Sequence, residues 1–310
     1  AGDTFWSSIG GDARSLMAAL LPRVVELNMD VKIIACSPTP AQEWFFDEYA
    51  ALEFDLSSQV YAGPTARIAL EDHRADWYPS LFSNSFNVWD FRQEHLPSID
   101  VFATSVTQPD ADGYVTFGGM PWQKGDFARR ARTTIMEIVP WLPNVPTTER
   151  LHVSEVTAFT ETDLTEDPML AQMAARRGAT PEATPVAGFV GEIMQDGDTV
   201  QIGAGRTSSL LAEEGLFDGR KDIGWHSEIT PGGVLAYMMD GTINGSRKSY
   251  DTGIGVSATI NGRTPEEFEW LDNEPPYETR SVTWVNHIMN IGRHERMLSI
   301  NNAFQIDLTG

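Results

Sequence analysis

One cysteine in 310 residues, Cys36, rules out an internal disulfide and a thiolate zinc cluster, and it fits a reducing compartment. It follows the apolar run VKIIA, so a buried residue at a strand end is expected there in preference to a nucleophile. Positive charge is scarce: 22 Lys and Arg stand against 44 Asp and Glu, for a net charge of -22. The basic residues form no block, which argues against nucleic acid and anionic membrane as partners, since both select clustered cations. Long apolar runs are missing too. Nothing approaches the ~20 residues needed to span a bilayer, and no basic segment precedes an apolar one in AGDTFWSSIGGDARSLMAALLPRVV. A cytoplasmic protein is the expectation. The six histidines (His73, His95, His152, His226, His287 and His294) are scattered, and RHERML has no second His four residues on, so no metal site is expected.

What is present is an alternation. The β-rich runs VKIIA, DVFATSV and TTIMEIV in the first half, and TVQIGA, DIGWHSE and GVSATIN in the second, are separated by helical patterns. Parallel strands need crossovers, so this order predicts an α/β protein with mainly parallel central sheets flanked by helices. With 41% hydrophobic residues the chain is long for one core, and two domains are expected. The segment TETDLTEDPMLAQMAARRGATPEATPVAG carries no strand pattern and serves as the expected linker, dividing the chain into residues 1–185 and 186–310.

The stretch TVQIGAGRTSSLLAEEG offers a strand, a Gly203-Ala204-Gly205 turn and a small-residue helix start, whose backbone amides could cradle a polarised ligand. A dinucleotide site is one reading. It would need Gly or Ala at position 208, where Ser208 stands, and an acid closing the second strand, whereas Asp222 precedes that strand. A tight turn with no ligand is the other reading. The acid at the end of the second strand is Glu228, in GWHSEITPGG, and successive strands joined by one crossover are usually neighbours. Glu228 and the turn are therefore expected on one sheet edge. A carboxylate beside backbone donors is the minimum kit for acyl transfer, although a helix cap or a solvated acid would look the same.

Several separated motifs resemble the acetyl-CoA hydrolase/transferase family, specifically its 4-hydroxybutyrate or butyrate CoA-transferase type (family I CoA-transferases). They run in order: VYAGPTARIALEDHRADWYPSLFS, LPSIDVFATSVTQPDADGYVTFG, IGAGRTSSLL, DIGWHSE, NGSRKS and SINNAFQIDLTG. The resemblance implies two related α/β domains of the CoA-transferase, NagB/RpiA-like fold. It also implies coenzyme A and acyl-CoA as substrates with no permanently bound cofactor, and a short-chain carboxylate as acceptor. By position Glu228 matches the family's catalytic glutamate, forming an acyl-glutamyl anhydride and then a glutamyl-CoA thioester. Gly203, Ala204 and Gly205 match the loop against CoA and the thioester, and His226 and Ser227 are expected to position the loop, with plain strand-end residues as the alternative. An acyl-CoA hydrolase would differ only in letting water resolve the thioester.

The chain also departs from that pattern. Arg206, Thr207 and Ser208 replace the usual residues after the second glycine, and Ser105 stands where Gln is common. Arg206 could meet a second carboxylate on the substrate or a CoA phosphate, or could pair on the surface with Glu213 or Glu214. Relatives extend past the DLTG that ends this sequence. An apparently incomplete C-terminal domain is therefore expected, completed in a homo-oligomer or by a second chain, with an incomplete, non-catalytic subunit as the alternative.

Overall fold

The computed structural model describes residues 2–27, 30–39, 42–46, 48–49, 54–61, 63–84, 98–162, 180–260, 264–303 and 305–310. Most of the expected linker (163–179), His95 and Phe304 lie outside the described residues. The chain forms two compact units: residues 1–142 with 149–166, and residues 143–148 with 167–310.

In chain order, the first unit contains β1 (Asp3–Ser7), α1 (Arg14–Glu26), β2 (Val31–Ala35), β3 (Asp55–Ser58), α2 (Pro64–Glu71), β4 (Ala75–Trp77), β5 (Val101–Val106), β6 (Tyr114–Thr116), α3 (Lys124–Arg130), β7 (Thr133–Ile138), β8 (Arg150–His152) and β9 (Ala158–Glu161). Seven strands pair in the order β4-β3-β2-β1-β5-β7-β9, every pairing parallel, while β6 and β8 form a separate antiparallel ribbon. Burial on both faces explains the near-continuous apolar strands. Trp6, Ile34, Phe102 and Met136 belong to one core, and their chain neighbours Phe5, Ile33, Ala35 and Ala103 to another, as side chains alternating with period two require. Cys36 is a buried thiol just past β2, in no disulfide. Buried Glu137 on β7 accepts hydrogen bonds from the amides of Ser15 (3.4 Å) and Leu16 (3.1 Å), so a carboxylate closes the N-terminus of α1.

The second unit contains α4 (Ala183–Ile193), β10 (Thr199–Ile202), β11 (Gly224–Thr230), α5 (Val234–Met239), β12 (Gly255–Ile260), α6 (Pro265–Asp272), β13 (Tyr277–Thr279), α7 (Val282–Val285), α8 (Ile288–Ile291) and β14 (Met297–Ile300). Its five strands order as β13-β12-β11-β10-β14, again all parallel. Counted from the first strand of each sheet, this is the 4-3-2-1-5 order that opens the first unit. In each sheet a glycine-containing loop follows the strand at which the order reverses, Gly10-Gly11 after β1 and Gly203-Ala204-Gly205 after β10. That reversal is where open α/β sheets leave a crevice at their carboxyl edge. Val200, Ile202, Leu211, Phe217, Trp225 and Ile260 head the second unit's core. Thr264 and Glu267 form a capping box that starts α6, with Pro265 in its first turn.

Each of the six β-rich runs read from the sequence is a strand in one of the two parallel sheets. Among the described residues no helix is long and apolar enough to cross a membrane.

Candidate active site

The glycine turn sits between β10 and β14. Thr199 to Ile202 pair with Met297 to Ile300, so the residues beyond Ile202 lie beside those beyond Ile300. The amide of Gly203 donates to the carbonyl of Ile300 (2.8 Å). Asn301 exchanges side-chain hydrogen bonds with Gln201 (3.2 and 3.1 Å), and Asn302 Oδ1 accepts from the amide of Ser208 (3.3 Å). A Cβ on Gly203 would overlap Asn301 Oδ1, and one on Gly205 would overlap the Asn302 side-chain amide. Both glycines are therefore required by close approach of the SINN segment and not by an unusual φ.

The α-helix expected after the turn is absent. Ser208–Leu210 form one 3-10 turn, followed by further turns to Gly219. Leu210 and Leu211 donate to Thr207 and Ser208 in i→i−3 fashion, and the Ser208 hydroxyl donates back to the carbonyl of Gly203 (2.7 Å). The donors survive without the helix. Among the described residues no group accepts a hydrogen bond from the amides of Ala204, Gly205 or Arg206.

Glu228 lies on the neighbouring strand, and the structure corrects its place. It is the fifth of seven residues in β11 and not the last, because pairing with β12 continues to Thr230 opposite Ile260. Against β10 the register slips: Val200 faces Trp225, but Ile202 faces Ile229, so His226, Ser227 and Glu228 bulge out of that ladder. Ser227 fills the break. Its Oγ accepts from the amide of Ile202 (3.2 Å) and reaches the carbonyls of Ile202 (3.1 Å) and Ile229 (2.6 Å). Ile229 is thus the partner of Ile202, the residue that precedes the glycine turn, and Glu228 lies one residue before it. Partial burial raises the Glu228 carboxyl above its ordinary range. A hydrogen bond from Asn286 Nδ2 to Oε2 works in the opposite direction.

Against β11 sits a buried polar layer. His226 is buried, donates from Nε2 to the carbonyl of Val285 (2.8 Å), and packs against Trp284 and His294. Burial pushes its pKa down to about 4, so the ring is neutral at pH 7. Lys248, from NGSRKS, is buried with its ammonium on the carbonyls of Trp225 (3.1 Å) and Ile254 (2.6 Å), and burial lowers it to about 8. Arg280 bridges Asp251 and Glu278 and lies 4.0 Å over the ring of Trp284. Asp222, the acid considered for a ribose, has φ 56° in a turn and accepts from Asn244 and Ser246 (3.2 Å each), so it ties down the NGSRKS segment.

Arg206 is exposed and forms no ion pair with a described residue. The surface pairing with Glu213 or Glu214 is not made. Glu214 instead accepts from Thr184 Oγ1, and Glu213 packs against Gly232 and Gly233. Among the described residues no group of three or more His, Cys, Asp or Glu is placed to hold a metal ion.

The family model of the acetyl-CoA hydrolase/transferase C-terminal domain matches residues 264–310, which include Asn286, Asn301 and Asn302. Over 86% of its length the chain is 28% identical to the succinyl-CoA:cyclohexane-1-carboxylate CoA transferase of Geobacter metallireducens. Over 81% it is 29% identical to the 4-hydroxybutyrate coenzyme A transferase of Clostridium kluyveri. Residues 264–310 thus match that family's C-terminal domain, and the chain as a whole is similar to CoA-transferases. It spans 58% and 56% of the lengths of those two relatives. The fold agrees: RipA from Yersinia pestis superposes with a TM-score of 0.84 at 25% identity, over 100% of this chain and 72% of that one. A 4-hydroxybutyrate CoA-transferase structure from Porphyromonas gingivalis shares the fold with a TM-score of 0.71 at 21% identity.

Of the residues singled out from sequence, Glu228, Gly203, Ala204, Gly205 and Arg206 all fall at the carboxyl edge of β10 and β11. Asn286 was missed. Its only sequence signal is an Asn just after a short apolar helix, and its partner lies 58 residues earlier.

Proposed function

We propose that the protein transfers coenzyme A between an acyl-CoA thioester and a carboxylate, with Glu228 as the nucleophile. The observation that carries this reading is the placement of Glu228 in the bulge of β11, on the strand next to a glycine turn in which the amides of Ala204, Gly205 and Arg206 have no acceptor among the described residues. A carboxylate oxygen of Glu228 attacks the thioester carbon, the C–S bond breaks, and CoA leaves as thiolate. The thiolate attacks the glutamyl carbonyl of the resulting anhydride. The acyl group departs as a carboxylate, and a glutamyl-CoA thioester remains. An incoming carboxylate reverses the sequence, forming a new anhydride from which the thiolate takes the new acyl group, and Glu228 is regenerated.

Each addition places negative charge on a former carbonyl oxygen. The amides of Ala204, Gly205 and Arg206, in the turn that follows the strand beside β11, are the donors for this charge, and one such donor contributes ~3 kcal/mol to the transition state. Arg206 supplies a cation for an anionic group of the substrate, a CoA phosphate or a second carboxylate. The names of the relatives support the same substrate class, acyl-CoA with a carboxylate acceptor.

The test is to trap the intermediate. Incubation with acyl-CoA followed by borohydride should reduce the Glu228 thioester to an alcohol, seen as a mass change on the peptide carrying Glu228. An unmodified Glu228 during demonstrated turnover would overturn the reading.

A further inference from the structure

Two residues of β11, two apart in sequence, engage two consecutive residues at the end of α7. His226 Nε2 donates to the carbonyl of Val285 at 2.8 Å, and Glu228 Oε2 accepts from the side chain of Asn286. Residues i and i+2 of a strand share a face, and the unbroken pairing of β11 with β12 keeps that alternation despite the bulge toward β10. The contacts are therefore parallel: one fixes the backbone of the α7 terminus, and the other uses the side chain that this backbone presents.

We propose that His226 is a positioning residue for Glu228, acting through the Val285 carbonyl and Asn286 to hold the carboxylate in its attacking orientation. The inference rests on the role given to Glu228 above.

The physical case begins with the Val285 carbonyl. It lies in the last turn of α7, where carbonyls have no intrahelical partner and a buried one needs a donor. Val285 is buried, and His226 is the donor. The hydrogen bond also settles the imidazole: a carbonyl accepts only, so the proton is on Nε2, and buried Nδ1 has no partner among the described residues. A ring held at one nitrogen needs packing to fix its plane, and Trp284 and His294 provide it with ring centroids at 5.8 and 4.7 Å. The charged or titratable groups around His226 are Lys248, Arg280, Asp251 and His294. Lys248 and Arg280 disfavour a second proton on the ring, which keeps it a neutral donor, and Asp251 opposes them. Without the Nε2 donor the α7 terminus loses its anchor, and Asn286 loses the position from which it reaches Glu228. The carboxylate then regains rotamer freedom and loses a hydrogen bond that favours its ionised form.

Three substitutions separate positioning from simple packing. His226→Gln keeps an N–H near the place of Nε2, His226→Asn keeps an amide that is too short to reach, and Asn286→Ala removes the final contact. The measurements are kcat and KM for CoA transfer and the Glu228 carboxyl pKa from 13C-glutamate NMR, with thermal melting to establish folding. His226→Asn should lower kcat about 10- to 100-fold with a smaller effect on KM, the scale of a misplaced reacting group. It should also raise the Glu228 pKa, as should Asn286→Ala. His226→Gln should restore most of both. The double variant His226→Asn/Asn286→Ala should be little worse than either single one, because both break the same linkage. A folded His226→Gln no better than His226→Asn, an unchanged Glu228 pKa in His226→Asn, or additive losses in the double variant would each overturn the proposal. If the protein transfers no CoA at all, the functional reading falls, yet the pKa comparison still decides whether His226 governs Glu228.

Discussion

Ile202 and Ser227 replace a piece of β ladder with one hydroxyl: the Ile202 amide donates to Ser227 Oγ at 3.2 Å, and the same oxygen lies 3.1 Å from the Ile202 carbonyl. The slip that sets Ile229, and not Ser227, opposite Ile202 would otherwise leave buried backbone groups without partners. Ser227→Ala should therefore destabilise the protein by about 1–3 kcal/mol, the cost of unsatisfied buried groups, read as a lower urea midpoint. CoA transfer should fall with it even at temperatures where the variant stays folded.

Glu228→Gln should abolish transfer, by roughly ten-thousand-fold or more as expected for a covalent nucleophile, with melting temperature little changed. The raised Glu228 pKa also sets a pH dependence. The carboxylate is the active form, so kcat/KM should fall as pH drops through a value above the ordinary 4.5 of a glutamate. A pH–rate profile of the wild type checks this, and an acid limb at or below 4.5 would refute it.

Gly203→Ala and Gly205→Ala each push a methyl group into an asparagine side chain. Each should cost about 1–3 kcal/mol of stability by overpacking. Pairing Gly205→Ala with Asn302→Ala should recover much of the stability in urea unfolding, because the clash is with that side chain alone.

Lys124 is buried, donates to the carbonyl of Met120 (2.8 Å), and is lowered to about 7 by burial, with Asp12 opposing. Between pH 7 and 10.5 the unfolded chain holds a proton here that the folded chain does not, so stability should rise with pH across that window. Lys248, lowered to about 8, acts in the same direction. Urea midpoints at pH 7 and 9 should differ in the wild type and differ less in Lys124→Met.

Arg206→Ala should raise KM for acyl-CoA by about five-fold or less, the scale of an exposed charge contact, and leave kcat nearly unchanged. Comparing a monocarboxylic with a dicarboxylic acyl-CoA then distinguishes a CoA phosphate from a second substrate carboxylate as the partner. Equal effects on both donors point to CoA.

The sequence by itself determined six of the strands, their mainly parallel pairing and the placing of the glycine turn and Glu228 on neighbouring strands. Each of these is written in local order: β-branched runs such as VKIIA and GVSATIN, crossovers between them, and a glycine turn one strand before an acid. It misjudged the helix after Gly205, where short i→i−3 turns form in its place. Tertiary structure alone decided the rest. The 4-3-2-1-5 order that the two sheets share is set by pairings between residues far apart in the chain, which leave no local period to read. The same holds at the site, where Glu228 meets Asn286 across 58 residues and Gly205 makes room for Asn302, contacts that exist only once the sheet has brought their strands together.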